Sequence, residues 1–202
     1  YWCKVKEVFR EQATHLIACY LVGMVALFLL FGVLSYVSDV LESTYHLFGL
    51  AKWFVLAVPV FSMALTSYLS GLYLAQKRSL WKPIIVGAMF AVAACLALQP
   101  FFTKLVPYMT VLFFLGIGIG IVLPPINSLI TGATSADRRG IITCLYGTVR
   151  FFGVAIGPPT FGLALELGKW FLFLSSAALA VITALVALFA ITPPPAGAYT
   201  AE

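Results

Sequence analysis

Six long runs of apolar residues divide the chain, and polar or charged residues are concentrated in the short segments between the runs. Each run has about 20 residues or more, the length that an α-helix needs to cross the hydrocarbon core of a bilayer. Because backbone hydrogen bonds must close within a segment that lies in hydrocarbon, each run is predicted to be a helix. The predicted spans are residues 13–37, 51–75, 83–103, 105–130, 141–167 and 170–192.

Composition places the chain in the membrane class. Hydrophobic residues make up 62% of it and charged residues 9%, whereas about a quarter of a soluble domain is charged. The predicted fold class is therefore an all-α membrane protein, a six-helix transmembrane bundle over residues 13–192. A cytoplasmic lead-in at residues 1–12 and a proline-rich cytoplasmic tail at residues 193–202 are expected to flank the bundle.

The distribution of basic residues predicts the orientation. Three segments on one side of the membrane hold eight of the twelve Lys and Arg residues, and the opposite side holds three. The eight are Lys4, Lys6, Arg10, Lys77, Arg78, Lys82, Arg138 and Arg139. By the positive-inside rule, both termini are expected in the cytoplasm and the chain in the cell membrane. Nucleic-acid binding is not expected, because these residues lie at helix ends and form no single patch with stacking aromatics.

The residues that usually support catalysis or metal binding are sparse. The four cysteines are scattered without a CxxC pair, and both histidines lie at span ends. No phosphate-binding loop of the GxxxxGK[ST] type occurs. The sequence therefore predicts no catalytic residue, no metal site and no cofactor.

The fourth span combines small residues with a proline pair. Gly116 and Gly120 form a GxxxG motif, and Pro124 and Pro125 follow one turn later. One interpretation is close packing against a neighbouring helix. The other is a bent helix beside a translocation path, with Asn127 as a polar lining group.

The fifth span contains Arg150 about nine residues from its start, about 14 Å along a helix and near the bilayer midplane. A charge there costs at least about 2.5 kcal/mol on insertion scales, so it should face the protein interior or a wet cavity. Helical spacing places Tyr146, Gly153 and Gly157 on the same face. That face is predicted to be an interior one.

Two roles for Arg150 stay open on these grounds, a structural arginine held by carbonyls and a role in binding or gating. None of the seven acidic residues can reach the midplane beside it. Any proton-carrying carboxylate would have to belong to polypeptide outside these 202 residues. The adjacent Phe151 and Phe152 are candidates for the substrate path.

Three segments carry a family resemblance: GLYLAQKRSLWKP from Gly71, GIGIGIVLPPINSLITGATSADRRG from Gly116, and LYGTVRFFGVAIGPPTFG from Leu145. With them the chain resembles the C-terminal six-helix half of a major facilitator superfamily transporter of the bacterial drug and proton antiporter type. In the loop motif of such families Gly71, Lys77 and Lys82 fit, but Gln76 replaces the acid. The pattern of Gly153, Gly157 and Pro158 is similar to the glycine and proline motif of antiporters.

The resemblance implies a secondary transporter that exports lipophilic small molecules in exchange for protons by alternating access. Its implied partners are the lipid bilayer, the other six-helix half, the substrate and protons. The candidate residues for the substrate path or coupling are Arg150, Tyr146, Phe151, Phe152 and Asn127. Those for packing and gating are Gly116, Gly120, Pro124, Pro125, Gly153, Gly157 and Pro158. Those for the cytoplasmic loops are Gly71, Lys77, Arg78, Lys82, Asp137, Arg138 and Arg139. A membrane scaffold subunit and, less favoured, an integral-membrane enzyme are the alternatives.

Overall fold

The computed structural model describes residues 2–74, 77–132 and 136–191. For residues 2–13, 78 and 136–138 it describes the backbone alone. These ranges contain six α-helices, two short 3₁₀ turns and no strand. All six helices are long and apolar enough to cross a membrane, which confirms the predicted fold class. The helices are α1 Trp2–Ser43, α2 Gly49–Leu74, α3 Trp81–Leu98, α4 Leu105–Gly132, α5 Ala136–Glu166 and α6 Lys169–Ala190.

The first helix is longer than the apolar run that predicted it. It contains 42 residues and continues through the basic lead-in, so it is about 63 Å long and exceeds the hydrocarbon thickness. The chain reverses after Ser43 through two residues in the left-handed region, His46 with φ 51° and Gly49 with φ 59°. Gly168, with φ 113°, makes the corresponding break between α5 and α6, a conformation that only glycine adopts readily.

Prolines lie inside three of the helices without ending them. The helix α4 continues through Pro124 and Pro125, although Pro125 removes the amide that would bond the carbonyl of Ile121. The hydroxyl of Ser70 on α2 donates to that carbonyl at 3.4 Å. A neighbouring helix thus supplies the hydrogen bond that the proline removes, as hydrocarbon surroundings require.

The helices pack mainly in three pairs, α1 with α5, α2 with α4, and α3 with α6. Further contacts join α3 to α4 and α1 to α6. The two halves of the bundle, α1–α3 and α4–α6, repeat the same pattern of contacts. If α1 is matched with α4, α2 with α5 and α3 with α6, each of these pairs corresponds to another pair or to itself. Because α1 and α4 cross the bundle in opposite directions, this pattern is that of an inverted repeat of three helices.

Burial differs strongly among the helices. Within the most apolar stretch of each helix, 72% of the residues are buried in α1, whereas 17% are buried in α2 and 22% in α5. Large apolar side chains on α2 and α5 therefore face outward from the six-helix bundle. The helix α1 is the centre of the bundle, and α2 and α5 have the most surface available for further contacts.

Candidate functional site

The pairing of α1 with α5 depends on glycines of α5 that touch the backbone of α1. A Cβ atom at Gly153 would lie 2.3 Å from the carbonyl oxygen of Met24, and one at Gly157 would lie 2.8 Å from that of Phe28. Both distances are shorter than any side-chain carbon tolerates. Only glycine at these positions allows the two helices to approach this closely.

Two glycines of α1 make the reciprocal contact, and the sequence did not reveal their role. Gly23 lies under the ring of Tyr146, where a Cβ would be 2.3 Å from the phenol oxygen. Gly32 lies under Phe161, where a Cβ would be 2.2 Å from a ring carbon. The two glycines are nine residues apart, so they form no GxxxG motif. Their spacing in the sequence therefore does not indicate a helix contact, which becomes visible only with the facing aromatic residues of α5.

Tyr146 connects this contact to Arg150. The guanidinium carbon of Arg150 is 5.9 Å from the centroid of the Tyr146 ring, a cation–π distance. On its other side Tyr146 contacts Tyr20 of α1, with ring centroids 5.6 Å apart. The hydroxyl of Tyr20 donates to the carbonyl of Ile142 on α5 at 2.8 Å. Two tyrosines therefore hold the two helices together next to the arginine.

The predicted interior face of α5 lies against α1, as its spacing indicated. Tyr146, Gly153 and Gly157 are buried, and Arg150 is half-buried. The Nε atom of Arg150 is buried and has no hydrogen-bond partner among the described residues. Because a buried polar group without a partner is costly, this atom indicates a partner that the six helices do not supply.

Among the residues that the structure describes, no carboxylate lies at the level of Arg150. On its own helix the nearest acidic residues are Asp137 and Glu166, about 20 and 24 Å away along the axis. The acidic residues near the end of α1 include Glu42, whose carboxylate accepts from the ammonium of Lys52 at 2.5 Å. Glu42 and Lys52 therefore form an ion pair near the end of α1. Arg150 is thus a membrane-embedded cation without an anionic partner in the part of the chain that the structure describes.

The other residues predicted for the substrate path are less enclosed. Phe151 is 64% and Phe152 is 60% exposed, on the side of α5 that faces away from α1. Asn127 is exposed near the end of α4, and its carbonyl accepts a hydrogen bond from Thr131 at 2.9 Å. Few contacts join α4 to α5. Helical spacing within α5 places Tyr146 beside Arg150, whereas no hydrogen bond joins Asn127 to Arg150 among the described residues.

The glycines of α4 make a close contact of the same kind with α2. A Cβ at Gly116 would lie 2.3 Å from the carbonyl oxygen of Pro59, and one at Gly120 would lie 2.5 Å from that of Met63. The hydroxyl of Ser62 crosses the same contact and donates to the carbonyl of Phe113 at 3.1 Å. Close packing thus accounts for the GxxxG motif of the fourth span.

The remaining residues predicted for motif positions differ in burial. Pro125 is buried, whereas Pro124, Pro158, Gly71 and Lys82 are half-buried, and Lys77 and Arg139 are exposed. Gly71 lies within α2, where a Cβ would be 3.9 Å from the ring of Pro124, an ordinary contact. Gln76 and the side chains of Arg78, Asp137 and Arg138 lie outside the described residues.

The described residues contain no cluster of three or more potential metal ligands. Cys19, Cys95 and Cys144 are free thiols, with Cys19 buried and Cys144 exposed. The side chain of Cys3 is outside the described set.

Comparisons with known proteins agree with this architecture. The model of the Major Facilitator Superfamily matches residues 2–158. The chain is 32% identical over 187 residues to a protein of Bacillus subtilis (strain 168) named Bacillibactin exporter, covering 93% of the chain and 46% of that protein. It therefore spans about half the length of this relative. No solved structure matches the chain. Six membrane-spanning helices in an inverted repeat, together with the match over residues 2–158, place this chain in the Major Facilitator Superfamily of transporters.

Proposed function

We propose that the chain is part of a secondary active transporter that exports small lipophilic molecules, with Arg150 in the substrate path. The observation that carries the proposal is the unpaired Arg150, held near mid-membrane by the contact between α1 and α5. Charged residues at that depth are costly and usually belong to a pathway or binding site. Export as the direction is supported by the name of the Bacillus relative.

The position of Arg150 fits a central binding site. It lies about 16 Å along α5 from Arg139, where the candidate span begins, which is near half the hydrocarbon thickness. Transporters built from repeats place their substrate sites near the bilayer midplane. Phe151, one residue further along α5, exposes aromatic surface suited to the apolar part of a substrate, and Phe152 lies on the opposite side of the helix from Arg150.

Alternating access requires a second bundle, and we assign that part to the other six-helix half of the transporter. The exposed faces of α2 and α5 are the surfaces that such a half would cover. Proton coupling is part of the proposal, and the proton-carrying carboxylate belongs in that half, since no carboxylate among the described residues of α5 lies at the level of Arg150. Both termini are proposed to lie in the cytoplasm and the protein in the cell membrane.

A scaffold subunit is the alternative function, and it would make Arg150 dispensable. The test uses the full-length protein in cells, with membrane-inserted protein quantified beside the efflux of a lipophilic dye. We expect Arg150→Leu to insert normally and to abolish efflux, because an apolar residue inserts more favourably but cannot bind a polar group. Arg150→Lys should retain partial activity, because it keeps the charge but loses the planar fork of donors.

The matched control is Lys104→Leu, which removes one positive charge from an exposed position between α3 and α4. It should insert and transport like the wild type. Loss of insertion in Arg150→Leu would identify a structural arginine. Normal insertion with normal efflux would refute the proposed role of Arg150 and favour the scaffold.

A further inference from the structure

We propose that Arg150 binds an anionic group of the transported molecule, so that the substrate class is a lipophilic anion rather than a lipophilic cation. This inference rests on the proposed function, and it adds the sign of the charge that the site accepts. The recognised chemistry is a carboxylate, sulfonate or comparable oxyanion attached to an apolar body. Such a group can accept from a guanidinium in two parallel hydrogen bonds.

The first step of the argument is the unbalanced charge. The guanidinium of Arg150 is a cation, and the nearest acidic residues on its own helix are about 20 Å or more away along the axis. Two acidic residues of α1, Asp39 and Glu42, lie in the last turns of that helix, beyond its contact with Tyr146 and the glycines of α5. Glu42 is already paired with Lys52. The site therefore has a net positive charge that no described side chain neutralises.

The second step is the missing hydrogen bond. The Nε atom of Arg150 is buried without a partner, although an arginine in hydrocarbon should have its donors satisfied. The ring of Tyr146, with its centroid 5.9 Å from the guanidinium carbon, attracts the positive charge, whereas Nε, which donates in the guanidinium plane, has no acceptor among the described residues. An oxyanion in that plane would supply both the charge and the acceptors.

The third step is the surroundings of the guanidinium. Tyr146 packs against Gly23 and Tyr20 of α1. Arg150 therefore lies next to a side chain that is held in place at the contact between α1 and α5. Phe151, the next residue along α5, is exposed and offers apolar contact to the rest of a ligand, whereas Phe152 lies on the opposite side of the helix from Arg150. A lipophilic cation would gain the aromatic contact but would be repelled by Arg150. The site thus distinguishes ligands by charge.

A carboxylate from the other half of the transporter is the competing source of the same anion. If such a carboxylate paired with Arg150, the wild type would show no preference for anionic ligands. Removing the arginine would then release a negative charge, and cation binding would increase. The two sources of the anion therefore predict opposite responses to the same substitution.

The experiment uses the full-length protein in lipid nanodiscs and three probes with one skeleton. These are diphenylhexatriene, its propionate and its trimethylammonium derivative, which are neutral, anionic and cationic. Binding is measured as the probe-dependent rise in unfolding temperature, titrated to give apparent affinities. We expect the wild type to bind the propionate at least tenfold more tightly than the trimethylammonium probe.

Arg150→Gln should lower the affinity for the propionate at least tenfold and leave the affinity for the neutral probe unchanged. Arg150→Lys should restore part of the loss, and Lys104→Gln, the matched control, should bind all three probes like the wild type. Partial rescue by lysine separates anion recognition from a general effect on folding.

The proposal is contradicted if the wild type shows no preference for the propionate, binds none of the probes, or retains that preference in Arg150→Gln. Increased binding of the trimethylammonium probe by Arg150→Gln, with an indifferent wild type, identifies a carboxylate of the other half instead. Flux of the propionate in proton-energised proteoliposomes is measured separately. Normal anion binding without flux would refute the proposed transport function and leave the binding assignment supported.

Discussion

Replacing Gly153 by alanine is the most direct test of the contact between α1 and α5. The added Cβ would lie 2.3 Å from the carbonyl oxygen of Met24, whereas ordinary contacts begin at 3.4 Å. The helices must therefore separate by about 1 Å at this point, since a backbone carbonyl within a helix cannot turn aside. Overpacking of this kind costs about 1–3 kcal/mol.

The same helix offers two graded comparisons. A Cβ at Gly162 meets nothing within 4 Å, and a Cβ at Gly157 would lie 2.8 Å from the carbonyl oxygen of Phe28. All three substitutions gain a similar preference of alanine for the helical conformation, up to about 1 kcal/mol. The difference between Gly153→Ala and Gly162→Ala therefore isolates the cost of separating the helices.

The assay is thermal unfolding of the full-length protein in nanodiscs, with all variants at equal protein and lipid concentrations. We expect Gly162→Ala to unfold at or slightly above the wild-type temperature, Gly157→Ala below it, and Gly153→Ala lowest. If Gly153→Ala and Gly162→Ala unfold at the same temperature, α1 and α5 do not make this contact, and the support of Arg150 by α1 is refuted with it.

Further outcomes follow from the packing and from the distribution of charge. Gly23→Ala should destabilise the protein because its Cβ would meet the Tyr146 ring, and adding Tyr146→Leu should recover part of the lost stability. A double-mutant cycle in unfolding free energy measures this coupling, and strictly additive effects would exclude the contact. A cysteine placed between α2 and α3, at residues 77–80, should react with a membrane-impermeant reagent only after the cells are opened, and labelling of intact cells would reverse the proposed orientation. The 202-residue chain reconstituted alone should carry no proton-driven dye flux, because it lacks the opposite wall of the proposed cavity, and flux above that of empty liposomes would contradict this.

The sequence was sufficient for the helices and for the face of α5 that contains Arg150. Span length and the cost of a buried charge are local properties, so they could be assessed without knowing the neighbouring helices. The glycines of the fourth and fifth spans were also recognisable, because their spacing is the usual one for close helix contacts.

The partners of those helices could not be predicted in the same way. In lipid a helix can be apolar on all sides, so no hydrophobic stripe indicates which face is buried. The role of Gly23 depends on Tyr146, more than a hundred residues later in the chain, and the role of Ser70 depends on the carbonyl freed by Pro125. These contacts are properties of pairs of helices, and neither helix reveals them alone.

The pairing of α1 with α5 has a consequence for synthesis of the protein in the cell. The candidate span of α1 begins at Thr14 and that of α5 at Arg139, so about 125 residues separate the two. At translation rates of about 5–20 residues per second, α1 enters the membrane about 6–25 s before its main partner. During that interval the surface around Gly23 and Gly32 has no ring to cover it.

The late helix is also the one that contains the charge. Arg150 enters the bilayer when α1 is already in place, so the groove that receives Tyr146 precedes the arginine that needs support. A nascent chain released before α5 would leave its central helix without its main partner, and such a chain is a natural target for membrane quality control. Because α5 is the main partner of α1, the pairing that completes the bundle forms at the same stage of synthesis as the insertion of Arg150.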